Sequence, residues 1–121
     1  MKARDVMAAP PAVVTLSSSI AFAAKAMCDT EASLLPVVDT VDDSRLQGLI
    51  TDRDILERCV SARHGSGCTV RDHMTRHPLV TAGPDEPLDD VLQRMESARV
   101  HRVPVVESSG RVVGIIARER R

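Results

Sequence analysis

The sequence predicts an α+β fold made of two copies of one strand-helix-strand-strand-helix unit, the second copy lacking its closing helix. Three observations carry this. The chain matches itself when displaced by about 67 residues. Each half holds one apolar stripe at helical spacing followed by two short β-branched runs. The 121 residues suffice for one compact body, or two very small ones packed together, burying roughly two-thirds of the unfolded surface.

The self-match runs in order. Arg4, Asp5 and Met7 fall on Arg71, Asp72 and Met74, and Pro11 falls on Pro78; Val14-Thr15 fall on Val80-Thr81 after a one-residue gap. Met27 meets Met95 and Pro36-Val37-Val38 meets Pro104-Val105-Val106 at an offset of 68, while Gly48 and Ile50 meet Gly114 and Ile116 at 66. The boundaries are therefore a first repeat at 1–63, a linker at 64–70 and a second, truncated repeat at 71–121. Lys2 and Arg4 ahead of the run Val6 to Leu16 loosely resemble a secretion signal. Asp5, the Pro10-Pro11 pair and the recurrence of the segment in the second copy make it part of the fold instead.

Within each copy the elements follow from periodicity. Ile20, Ala23, Ala24 and Met27, and again Leu88, Val91, Leu92 and Met95, occupy i, i+3, i+4 and i+7, one buried stripe on a helix. These helices are expected to start at Ser17 and at Asp85, with Pro87 in the first turn. Leu34 to Val38 and Leu46 to Ile50, joined by a polar loop, read as a hairpin, as do Val103 to Val106 and Val112 to Ile116 around Ser108-Ser109-Gly110. Ile55, Leu56, Cys59 and Val60 have helical spacing, with Asp52 placed to cap and Gly65 beyond the end. Adding 66 to residues 55–63 puts a closing helix of the second copy at 121–129, where only Arg121 exists; either the sequence stops short or another chain covers that apolar face.

Composition narrows the function. The longest apolar stretches fall far short of the ~20 residues that span a bilayer, so no membrane segment is expected. A net charge of −1, with no Trp or Tyr and Phe22 the single aromatic, offers neither a basic footprint nor stacking platforms for nucleic acid. Three unpatterned cysteines fit a reducing, cytoplasmic setting better than a disulfide framework.

The chemistry concentrates in Gly48-Leu49-Ile50-Thr51-Asp52-Arg53-Asp54, a strand running into a helix start. Free backbone N–H groups there, with the Thr51 hydroxyl, suit a phosphate, and the Asp54 carboxylate suits the paired hydroxyls of a ribose. The same residues also read as a plain helix start, Thr51 and Asp52 capping and Asp54 a solvated first-turn carboxylate.

The layout resembles a tandem pair of CBS domains, a Bateman module. The resemblance covers essentially the whole chain and rests on Arg4-Asp5-Val6-Met7 and Arg71-Asp72-His73-Met74, on Leu35-Pro36-Val37-Val38 and Val103-Pro104-Val105-Val106, and on the Gly48 to Asp54 motif. It implies two β-α-β-β-α repeats packed as a pseudo-twofold disc, no catalysis, and a regulatory module that reversibly binds an adenosine nucleotide (AMP, ADP or ATP) in one cleft between repeats. It further implies that Asp54 takes the ribose with Thr51 near phosphate. His101 and Arg102 would point toward phosphates, and Val80, Val100 and Val103 would wall the adenine. A homodimer through the helices around 17–28 and 85–97, with an unknown regulated protein, is also implied. The second copy departs from the pattern, with Ala117 and Arg120 standing where Thr/Ser and Asp belong. A cation cannot accept from ribose hydroxyls, so at most one competent site per chain is expected. The alternative is a ligand-free structural or protein-interaction dimer module.

Cys59, His64, Cys68, His73 and His77 invite a zinc-stabilised stress protein as a third reading. Their spacings do not form paired knuckles, so no metal is expected. His73 matches the semi-buried Val6, and Cys59 sits on an apolar stripe where a thiol behaves as a small hydrophobe. Gly65-Ser66-Gly67 lacks the strand-turn-helix setting of a nucleophile elbow, and no acid-base pair recurs in both copies.

Overall fold

The computed structural model describes residues 1–60, 68–76 and 79–118, with the side chains of 58–60 left out of the description. The chain divides into two compact units. One is Ala12–Leu79; the other combines Met1–Pro11 with Val80–Arg121.

The first unit contains β1 (Val14–Thr15), α2 (Ile20–Thr30), β2 (Leu34–Val38), β3 (Leu46–Thr51), the single turn α3 (Asp52–Asp54) continuing as a π-helical segment Ile55–Val60, and α4 (Val70–His73). The sheet order is β1-β2-β3, β1 parallel and β3 antiparallel to β2, with Leu35 opposite Ile50 and Val37 opposite Gly48. The apolar stripe of α2 does what its spacing requires: Ile20, Ala23 and Met27 are buried against Val14, Leu35, Val37, Ile50, Val70 and Met74. Each large aliphatic side chain so enclosed contributes roughly 1.5–3 kcal/mol relative to exposure.

The second unit contains α1 (Ala3–Val6), α5 (Leu88–Ala98) and the antiparallel pair β4 (Arg102–Val106) and β5 (Val112–Ala117). Its core is Ala3, Ala82, Val91, Met95, Val103, Val105 and Ile116, with Met7 and Leu88 packed on it. Position for position this repeats the first core, with Val91, Met95, Val103, Val105 and Ile116 standing for Ala23, Met27, Leu35, Val37 and Ile50. Both hairpins arise as expected.

Several boundaries differ from expectation. Ser19, not Ser17, caps α2, its hydroxyl oxygen accepting from Phe22 N at 3.0 Å, while Ser17 and Ser18 remain in the turn after β1. Pro87 itself occupies the cap position of α5 and makes no side-chain cap hydrogen bond. Thr51, not Asp52, caps α3. Among the described residues of the second unit no strand corresponds to β1, and Ala82 forms an isolated bridge with Val105. Thr69 and Val70, placed by sequence in the linker, are structured: Thr69 bridges Ser19 and Val70 begins α4. Val6 is 42% exposed whereas its counterpart His73 is 5% exposed. Gly65 and the linker residues 64–67 lie outside the described residues.

The repeats and the compact units do not coincide, because the opening segments are exchanged. Residues of the second copy's opening complete the first unit: Ile20 N donates to Cys68 O and Val70 N to Ser18 O, both at 2.8 Å, and Thr75 pairs with Leu49 by two backbone bonds of 2.8 and 2.9 Å. The first copy's opening does the same for the second unit, Ala3 N donating to Glu86 O, Leu88 N to Met1 O, and Ala8 pairing with Ile115. Each exchanged segment also lays a methionine over the glycine of the last strand. A Cβ on Gly48 would stand 2.8 Å from both Met74 Sδ and the Thr75 carbonyl oxygen, and one on Gly114 would stand 2.5 Å from Met7 Sδ.

The loop before α5 is fastened by a forked pair. Arg94 donates to both Glu86 carboxylate oxygens at 3.0 and 2.5 Å and to Thr81 O at 2.7 Å, while Gly83 N donates to Glu86 Oε1 at 2.8 Å. The Arg94 guanidinium, then the Gly83 N–H, hold the Glu86 carboxyl below its ordinary value. A lowered carboxyl contributes stability above its unfolded value and loses it as pH falls through the folded one.

Two predictions follow from this packing. Gly48→Ala drives a Cβ into the Thr75 main chain and lowers stability by about 1–3 kcal/mol in urea unfolding. Glu86→Gln flattens the stability profile below about pH 4.5 while leaving its shape above pH 6 unchanged, measured by unfolding midpoints across pH.

Candidate functional site

The end of β3 delivers Thr51 in an extended conformation, and the single turn of α3 brings Asp54 back over it. The two residues cap each other. Thr51 Oγ1 accepts from Asp54 N at 3.0 Å, and Asp54 Oδ2 accepts from Thr51 N at 3.1 Å. Asp54 is 8% exposed, so it is a buried carboxylate and not the solvated first-turn residue of the plain reading. A third residue completes the cluster: the Thr75 hydroxyl donates to Asp54 Oδ1 at 3.1 Å and Oδ2 at 3.2 Å.

The expected phosphate cradle is not formed at this junction. Asp52 N donates to Ser33 O at 3.0 Å, Arg53 N to Asp52 Oδ1 at 2.8 Å, and Asp54 N to Thr51 Oγ1. Every main-chain donor of the turn therefore has an acceptor, and the exposed carboxylate of Asp52 adds negative charge. What the junction offers is a buried carboxylate that accepts hydroxyl and amide donors.

The remaining expected site residues belong to the other unit. Val80 and Val100 are half-buried and pack on its core. Val103 is fully enclosed within that core, opposite Ile116 on β5, and presents no surface to a ligand. Arg102 opens β4 and His101 precedes it, both half-buried, with His101 O accepting from Arg118 N at 2.7 Å. The structure thus gathers Thr51 and Asp54, and separately His101 and Arg102 beside Val100.

Sequence reasoning missed Thr75, which carries no motif of its own and is brought to Asp54 by the fold. Shifting by the repeat offset, Thr51, Asp54 and Thr75 correspond to Ala117, Arg120 and Ala8. The second unit, which takes residues 1–11 from the first copy, therefore lacks all three polar members. Of the candidate metal ligands, Cys59, His64 and His77 fall outside the described side chains. His73 is buried, and Cys28 and Cys68 are free thiols. Among the described residues no three His, Cys, Asp or Glu side chains form a group able to hold a metal. No described helix is long and apolar enough to cross a membrane.

The doubled architecture and the motif junction agree with a family comparison: the CBS domain model matches residues 3–61 and again 70–120. The chain belongs to the CBS domain family. Solved CBS structures superpose on it closely. Hypoxic Response Protein I, crystallised with two coordinated zinc ions, gives a TM-score of 0.85 at 30% identity, covering 97% of this chain and 92% of that one. The CBS domain pair of protein MJ0100, in complex with 5′-methylthioadenosine and S-adenosyl-L-methionine, gives 0.81 at 34% identity, covering 97% and 89%. CBSX2 in complex with AMP gives 0.80 at 28%, covering 97% and 90%. Among curated relatives, L-aspartate semialdehyde sulfurtransferase of Methanocaldococcus jannaschii is 34% identical over 116 residues, which are 96% of this chain and 21% of that protein. The chain thus spans about a fifth of that relative's length.

If the Asp54 carboxylate holds this CBS junction together, its loss strands the Thr51 N–H and the Thr75 hydroxyl. Asp54→Ala then lowers the stability of the unliganded protein by about 1–3 kcal/mol, against less than about 0.5 kcal/mol for a solvated carboxylate. Urea unfolding without nucleotide distinguishes the two.

Proposed function

We propose that this chain is a regulatory CBS pair that reversibly binds an adenosine nucleotide, with Asp54 taking the ribose hydroxyls and Thr51 orienting it. Binding signals through a conformational or dimer rearrangement that a regulated protein reads. The observation that carries this reading is the buried Asp54 carboxylate, which already accepts a hydroxyl at both of its oxygens. A vicinal diol supplies that chemistry in duplicate. The ligands of the similar structures support it. AMP, S-adenosylmethionine and 5′-methylthioadenosine share the adenosine moiety, and the last two carry no phosphate, which suits a junction whose main-chain donors are all engaged.

One site per chain is expected, since Ala117 and Arg120 remove the hydroxyl and the carboxylate from the second motif. The mutual capping of Thr51 and Asp54 favours one other reading, a ligand-free module in which the cluster only fastens the fold. The two differ in a thermal-shift screen of nucleotide-free protein with AMP, ADP, ATP, S-adenosylmethionine and NADH. A ligand at 100 times its dissociation constant adds about 2.7 kcal/mol of stability. That gain is expected for at least one adenosine compound and is lost in Asp54→Asn, while His101→Ala and Arg102→Ala report whether those residues take part. No shift with any of the five overturns nucleotide sensing, and a melting point lowered by chelator instead assigns a structural metal.

A further inference from the structure

The forked contact of Thr75 bears on how the Asp54 site is controlled. A donor 3.1 Å from one carboxylate oxygen and 3.2 Å from the other lies near the bisector between them. This is the two-pronged face of the group, the position that a diol or a guanidinium takes when it addresses both oxygens at once. The Thr51 N–H approaches Oδ2 as a separate, single contact. A ribose gripping both oxygens of Asp54 therefore has to take the place that the Thr75 hydroxyl holds.

We infer that the Thr75 hydroxyl is a built-in competitor for the Asp54 carboxylate, a rotamer gate that sets the affinity of the site for vicinal-diol ligands. The inference rests on the reading of Asp54 as the ribose acceptor. Two backbone bonds to Leu49 pin the Thr75 main chain, so the hydroxyl leaves only by rotation about χ1 into another staggered well. The gate opens without unpairing the strand. Because the competent rotamer is a fraction of the population, the measured affinity is reduced by that fraction. A hydrogen bond to a charged acceptor sets the reduction at about tenfold. The second unit has Ala8, Ala117 and Arg120 at the positions of Thr75, Thr51 and Asp54, which fits this, since a gate has no purpose where the carboxylate is absent.

Calorimetric titration of the nucleotide-free full chain with AMP, 2′-deoxy-AMP and S-adenosylmethionine tests the gate. Thr75→Val, close in shape but without the donor, is expected to bind AMP or S-adenosylmethionine about tenfold more tightly than the parent. Thr75→Ser is expected to restore parental affinity. 2′-Deoxy-AMP, which lacks one of the two donors, gains less than AMP from the valine change, a difference that a merely structural role would not produce. Should Thr75→Val fail to fold, Thr75→Ala carries the same comparison. Parental binding that is lost in Asp54→Asn yet unchanged or weaker in the hydroxyl-free variants overturns the gate and leaves the nucleotide reading intact. Absence of binding by the parent and by every Thr75 variant overturns the nucleotide reading, and the gate with it.

Discussion

The pairing of Thr75 with Leu49 is the contact on which most else in its unit depends. Two backbone bonds add a strand-like edge to β3, and the residue before, Met74, fills the space that Gly48 leaves open. The same anchoring sets the Thr75 side chain against Asp54, 21 residues away in sequence. Core packing and the polar junction are thus not independent: the segment that closes the hydrophobic core also furnishes the third member of the carboxylate cluster.

Duplication explains the architecture, and its asymmetry explains the chemistry. The second unit repeats the framework with Ala8 on Ile115 and Met7 over Gly114, so the apolar and backbone interactions survive in both copies. The polar cluster does not. Selection for a folded pair maintains the first set in duplicate because each unit needs its own core. A hydroxyl-carboxylate-hydroxyl group is needed only where something uses it, and here one unit holds it, with members drawn from both copies.

Much of the fold was legible because it rests on periodicity. The stripes of α2 and α5 and both hairpins follow from spacing alone, and the internal match makes each half a check on the other. Boundaries set by competition between adjacent polar groups were harder to read. Ser17, Ser18 and Ser19 are all competent caps, and only the packing of Ile20 selects the last. Thr51 and Asp52 pose the same choice one residue apart. The exchange of opening segments was invisible, since an offset reveals that two stretches are alike and not which copy each packs with. Thr51 and Asp54 stood out through their motif, whereas Thr75 carries no motif of its own and acquires meaning only through a tertiary contact. Val103, set among the adenine walls by the family resemblance, has its side chain enclosed in the core of the second unit.

The discontinuity of the second unit has a temporal side. Residues 1–11 are synthesised well before the strands they complete, which begin at Arg102 and end at Ala117. The unit at 12–79 is whole as soon as its own last residues emerge, whereas residues 1–11 have to wait, undocked, until Ala117 has been made. Synthesis therefore imposes an order in which residues 1–11, made before the unit at 12–79, find their place after it.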